Sequence, residues 1–147
     1  MSISVNEIQN GTENNFYIGV VAYTVYDKHY MFGQTKTQDN WHYIQEVLPD
    51  GRLGEQTEHS SWSHYYDFIT VLDDDSKKIL CCTSSQDNVI KLVELTYDGK
   101  TKPLFEESYQ QDDFETLTLY MRHGKLFAFC QHRTTKEWKV LEIEYSP

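Results

Sequence analysis

The polar cluster Gln38-Asp39-Asn40 returns as Gln86-Asp87-Asn88, 48 residues further along the chain. A period of that length confines the chain to repeat architectures. Each repeat is then one supersecondary unit that buries its apolar surface against its neighbours. The same displacement lays Asp50-Gly51 on Asp98-Gly99, Glu46 on Glu94, Tyr17 on Tyr65, Asp27 on Asp75 and Thr35 on Thr83, with no gap. Between residues 16–63 and 64–111, 11 of 48 positions are identical, against the roughly 6% that ordinary composition gives by chance. A second displacement by 48 lays Cys82 on Cys130, Glu94 on Glu142, Tyr97 on Tyr145, Lys77 on Lys125 and Thr70 on Thr118. The expected organisation is a single repeat domain, with units at 16–63, 64–111 and 112–147 and a displaced strand within residues 1–15.

Each unit reads as short strands between turn signals, without a helical apolar stripe. The first gives "YIGVVAYTV", "HYMFGQT", "WHYIQEV" and, after the turn signal "PDG", "RLGEQTE". The second gives "YDFITVL", "KILCCTS", "VIKLVEL" and "PLFEES", and the third only "FETLTLY", "KLFAFCQ" and "WKVLEIEY". The third unit thus lacks a fourth strand. The N-terminal "SISVNEIQ" matches that missing type, with Glu7 falling on the Glu55 position. An unpaired edge strand is a template for aggregation, so the displaced strand is expected to complete the last unit of its own chain or of a partner.

Four strands per repeat leave two all-β architectures. A β-trefoil closes with three repeats in one chain. A β-propeller has about 4 to 8 four-stranded blades, which three units cannot supply and two chains of three can. The strand chemistry favours the second. "YIGVVAYTV" suits an inner strand packed on both faces, and "RLGEQTEHS" and "PLFEESYQQD" suit a polar outer rim. The expected fold is a six-bladed β-propeller formed by two chains, with a monomeric β-trefoil as the alternative.

The stretch from Asp50 to Lys100 runs through a DG turn, a polar strand, Trp62, and then Tyr66, Asp67 and Phe68 at the start of the next inner strand. This cycle resembles the blade repeats of microbial propeller lectins, some of which assemble from short chains of two or three blades. The third unit keeps only Phe114 and Glu115 of the pattern and has Tyr109 where a Trp belongs. The resemblance implies non-enzymatic carbohydrate binding by a homo-oligomer.

Composition narrows the partners. The net charge is −10, a field that repels a phosphate backbone and argues against nucleic acid. No apolar run approaches the ~20 residues of a membrane span, so membrane insertion is not expected. The opening "MSISVNEIQNGTE" lacks the basic flank and apolar stretch of a secretory signal, and with the odd set Cys81, Cys82 and Cys130 it points to a cytoplasmic protein with free thiols, with non-classical release as the alternative. Cys81 and Cys82 adjoin in a strand and should face opposite sides. The six histidines have no metal-ligand spacing, although His59 and His64 are close enough in sequence to share a loop. No cofactor, phosphate loop or nucleophile elbow is indicated.

In a propeller the loops after strands two and four reach one face. Those segments hold Asp39, Asn40, Trp41, Trp62, His64, Tyr65, Asp87, Asn88, Tyr109 and Arg133. A sugar stacks its C–H face on an aromatic ring and directs its hydroxyls to amides, carboxylates or guanidinium groups. These ten residues are the candidate glycan ligands. Two of the features have a structural alternative: QDN as Asx-turn chemistry and Trp62 as a wedge between blades. Glu46, Glu94 and Glu142 recur in all three units, as ligand acceptors or as repeated structural ion pairs. The rival function is a protein-interaction scaffold using the same face. A trefoil would carry a lectin-like or inhibitory role.

Overall fold

The computed structural model describes residues 2–13, 15–36, 40–74, 77–84, 89–108 and 114–144. The described residues form eleven strands: β1 (Tyr17–Val25), β2 (Lys28–Thr35), β3 (Trp41–Val47), β4 (Leu53–Ser61), β5 (Phe68–Asp74), β6 (Lys77–Ser84), β7 (Val89–Leu95), β8 (Thr101–Ser108), β9 (Phe114–Arg122), β10 (Lys125–His132) and β11 (Trp138–Ile143). They form three antiparallel sheets, β1-β2-β3-β4, β5-β6-β7-β8 and β9-β10-β11. The protein is all-β, with no helix among the described residues.

The sheets stack face to face, with β5 lying between β1 and β9. Alternation along β6 and β7 gives the middle sheet two buried faces. Leu80, Cys82, Val89, Val93 and Leu95 join Tyr23, Tyr30, Phe32 and Ile44 of the first sheet in one core. Ile79, Cys81, Ile90 and Leu92 join Leu117, Leu119, Leu126, Ala128 and Cys130 of the third sheet in another. Adjacent Cys81 and Cys82 therefore serve different cores, and all three thiols are free and buried. Burial pushes the Cys81 thiol up to about 12, which makes it a poor nucleophile near neutrality.

The structure corrects the register of the repeat. The pair Val25 and Lys28 closes the first hairpin, and Asp74 and Lys77 close its counterpart. These first two strands are thus related by 49 residues, whereas Ile44 and Leu92 in the third strands remain 48 apart. The connection from β2 to β3 absorbs the difference, being one residue longer than that from β6 to β7. Within the single chain, residues 2–10 pair with no strand. Gln9 instead clamps the Leu53 backbone, accepting from its N at 2.7 Å and donating to its O at 3.1 Å, and Arg52 Nε donates to Ile8 O at 3.1 Å. A segment without a ladder partner gains too little to offset the entropy of holding a strand.

The recurring DG turns are built alike. Leu48 N donates to Arg52 O and Gly51 N to Leu48 O; Thr96 N donates to Lys100 O and Gly99 N to Thr96 O. Both glycines lie in the left-handed region, at φ +91 and +77. Their surroundings differ. A Cβ on Gly51 would meet only Ile8, at 3.7 Å, whereas one on Gly99 would stand 2.5 Å from Thr57 Oγ1 and 2.7 Å from the Tyr30 ring. That turn is stapled to the first sheet by Tyr30 Oη donating to Tyr97 O at 2.6 Å and Thr57 Oγ1 donating to Gly99 O at 2.6 Å. Gly51→Ala is expected to cost about 1 kcal/mol of backbone strain and Gly99→Ala about 3 kcal/mol, since it also breaks the staple. Equal urea midpoints for the two variants would contradict this.

Candidate functional site

In an antiparallel meander, alternate connections fall at the same end of the sheet. The connections that follow β2 and β4 therefore share an end of the first sheet, where Gln34 joins Asn40 to the segment after β4. Of the ten candidate ligands, Asp39, Asp87, Asn88 and Tyr109 lie outside the described residues.

Buried Gln34, on β2, organises four of the other six. Its Oε1 accepts from Tyr66 N at 2.8 Å, and its Nε2 donates to His64 O at 3.1 Å and reaches Asn40 O at 3.5 Å. Trp62 N also donates to Asn40 O, at 3.2 Å. One amide side chain thus pins the β4–β5 connection of residues 62–67 against the first sheet and brings Asn40, Trp62, His64 and Tyr65 together. Asn40 adopts φ 53, a conformation that Asn tolerates better than most residues. His64 and Tyr65 are half-buried, and the Lys36 ammonium lies 6.0 Å from the centre of the Tyr65 ring.

Trp62 is a wedge. Its ring lies 4.2 Å from His42 and 5.5 Å from Phe32, meets Tyr66 edge-on at 5.8 Å, and carries the Lys91 ammonium at 4.6 Å. Trp41 faces the other side of the first sheet, where its ring centre is 4.5 Å from that of His59. His59 belongs to β4 and stacks on Tyr43 as well, so it does not share a loop with His64. Arg133 sits exposed in the turn from β10 to β11, on the third sheet.

Two polar networks lie beside this cluster. In the first, Glu106 receives Tyr66 Oη at 3.1 Å, Ser63 Oγ at 3.4 Å and the Lys91 ammonium at 3.4 Å. Burial raises the Glu106 pKa, but the Lys91 charge and the Tyr66 hydroxyl outweigh it, and the carboxyl ends below its ordinary value. In the second, Glu58 binds buried His42 Nε2 at 2.6 Å and accepts from Thr101 N at 3.0 Å and from Thr101 Oγ1. Thr101 is on β8, so this network joins the first two sheets. His42 Nδ1 is buried without a partner. A proton on Nε2 alone satisfies Glu58 and leaves only a lone pair unmet at Nδ1, a smaller loss than an unmet N–H.

A concavity of about 530 Å³ opens at the opposite end between the first and second sheets, lined by Val25, Tyr26, Asp73, Lys78, Glu94 and Tyr97 among others. Tyr26 is 76% exposed, although its φ of 55 is unfavourable for a bulky residue. Tyr97 Oη donates to Asp27 at 2.8 Å, and Lys28 lies over the Tyr97 ring at 5.1 Å. Sequence reasoning missed these tyrosines. The available signal was their place beside the hairpin turns. The recurring glutamates divide: Glu94 lines this concavity, and Glu142 pairs with Lys125 at 3.4 Å. Among the described residues no group of His, Cys, Asp or Glu is arranged to hold a metal ion, and no helix is long and apolar enough to cross a membrane.

No protein-family model matches the chain, and no curated protein matches it significantly.

Proposed function

We propose that the protein is a non-enzymatic glycan-binding protein whose repeated sheets, from two chains together, close into a six-bladed β-propeller. The observation that carries the binding reading is the Gln34 clamp. It fixes Tyr65 and His64, both half-open, beside Lys36 and Asn40 at the end where the connections gather. A sugar ring on Tyr65 would find directional partners in the His64 ring, the Lys36 ammonium and the Asn40 amide. Three separate meanders, with no strand paired between sheets among the described residues, favour blades over the shared barrel of a trefoil. Repetition around a ring would turn weak single sites into avidity.

A glycan array probed with the native protein tests the reading. Retention on a subset of neutral oligosaccharides is expected. Tyr65→Ala should weaken it about tenfold, the equivalent of ~1.4 kcal/mol, while Tyr97→Ala at the far end should leave it unchanged. Loss with Tyr97→Ala alone would move the site to the concavity beside Tyr97. No retention on any glycan, with a polypeptide bound by the Tyr65 end, would make the protein an interaction scaffold.

A further inference from the structure

The third sheet leaves an apolar ladder uncovered on the side away from the second. Tyr120 and Phe127 stack at 5.5 Å, and Phe129 and Trp138 at 6.0 Å. Trp138 is 65% exposed and Val140 50%. Each of these positions has a counterpart 48 residues earlier, on the side of the second sheet that faces the third. Tyr120 corresponds to Leu72, Phe127 to Ile79, Phe129 to Cys81, Trp138 to Ile90 and Val140 to Leu92. All five counterparts belong to the core between the second and third sheets or pack against it. The exposed ladder is thus a core half that faces no sheet among the described residues.

The other half exists at the opposite end of the chain. On the outer side of the first sheet, Val20, Ala22, Met31 and Gly33 correspond, at the spacing of 49, to Ile69, Val71, Leu80 and Cys82. Those residues face the first sheet and pack into its core. Val20 is 52% exposed. The stacking of first on second, and of second on third, would therefore continue as third on first if a second copy supplied the first sheet.

The edges agree. β11 is the outer strand of a three-stranded sheet, whereas its counterpart β7 is covered by β8. Residues 2–9 carry Ile3 and Val5 at 87% and 90% exposure. They are held at the rim of the first sheet through Gln9 and Arg52, beside the face that would receive the partner's third sheet.

We propose that the outer face of the third sheet docks head-to-tail on the outer face of the first sheet of a second copy, and that residues 2–9 add to the partner's β11 as its fourth strand. The faces differ, so the interface is heterologous, and it ends at two chains only if the rotation closes a ring. This closure rests on the propeller reading; the docking itself is independent of any glycan.

Native mass measurement on the full chain tests it. Wild type is expected at twice 17.4 kDa. The double variant Trp138→Glu/Val140→Glu spoils the third-sheet face, and Val20→Glu spoils the first-sheet face. Each alone should run at half the wild-type mass with an unchanged far-ultraviolet circular dichroism spectrum, because the positions are exposed. Mixing the two variants one to one should restore a heterodimer, since one of its two interfaces is then wild type on both sides. Deleting residues 2–9 should raise the dissociation constant at least tenfold. A monomeric wild type would overturn the proposal, as would a dimer that survives both variants. So would a Val20→Glu dimer of wild-type mass, which would mean that third sheets pair with each other. Glycan retention by the separated variants would be judged on the array alone, so failure of one reading does not imply failure of the other.

Discussion

Phe32→Ala is expected to lower the stability of the folded chain by about 4 kcal/mol, the range for deleting a buried aromatic, and to bring its melting temperature down by roughly 10 °C for a domain of this size. Phe32 is fully buried against the paired rings of His42 and Trp62, whose centres are each 5.5 Å from its own and 4.2 Å from one another. Collapse into the vacated space is blocked. His42 is tied to Glu58, and Trp62 is held through its backbone to Asn40. The cavity therefore persists, and its lining loses dispersion contacts outright. Phe32→Leu keeps most of the volume and should cost about 1.5 kcal/mol. Trp62 supplies a second readout, since loosening its packing should shift its fluorescence toward that of an indole in water. A melting temperature within 2 °C of wild type for Phe32→Ala would show that the aromatic stack is not the centre of the first core. The same variant should weaken glycan retention, because Trp62 and Tyr66 flank the segment that presents His64 and Tyr65.

Strand order was largely legible because each strand is bounded by local chemistry. The Asp50-Gly51 and Asp98-Gly99 turns and the β-branched run at Tyr17–Val25 act within a few residues, and the observed strands begin and end near the positions they predict. Opposite burial of Cys81 and Cys82 follows from the pleat alone. Other features depend on residues far apart in the chain. Gln34 reaches Tyr66 across 32 positions, so the clamp on the candidate site has no local signature. Trp62 could be placed in a loop, but its role as a wedge is decided by His42 and Lys91, which arrive from β3 and β7. Lys91 interrupts an apolar strand and is only 8% exposed. Its burial makes sense once the Glu106 carboxylate and the Trp62 ring are in place. The one-residue shift in the first two strands was hidden because identities at 48, such as Thr35 with Thr83, persist by chance beside the true pairing. The N-terminal segment matched a strand pattern, yet a strand forms only where an edge is within reach.

Glu58→Ala is expected to cost about 3 kcal/mol at neutral pH, the second large effect. Removing this carboxylate leaves buried His42 Nε2 and the Thr101 N–H without the acceptor that joins the two sheets, and unmet buried donors carry their full desolvation penalty. Glu58→Gln retains one acceptor oxygen and should lose about half as much. The pH dependence follows from the charge. Burial raises the Glu58 pKa, but the hydrogen bonds from His42 and from the backbone and side chain of Thr101 outweigh it, and the carboxyl lies below its ordinary value of 4.5. A depressed folded-state pKa means that the unfolded chain binds the proton first as pH falls. The stabilisation is thus complete above about pH 4.5 and disappears as pH drops through the folded value. Urea unfolding of wild type and Glu58→Gln at pH 7, 5, 4 and 3 measures this as a difference, which removes the contribution of other carboxylates common to both. The gap in stability should hold from pH 7 to 5 and narrow below 4.5. A gap that widens on acidification would mean that Glu58 is not ionised in the folded protein, and that sheets one and two are joined by a neutral hydrogen bond.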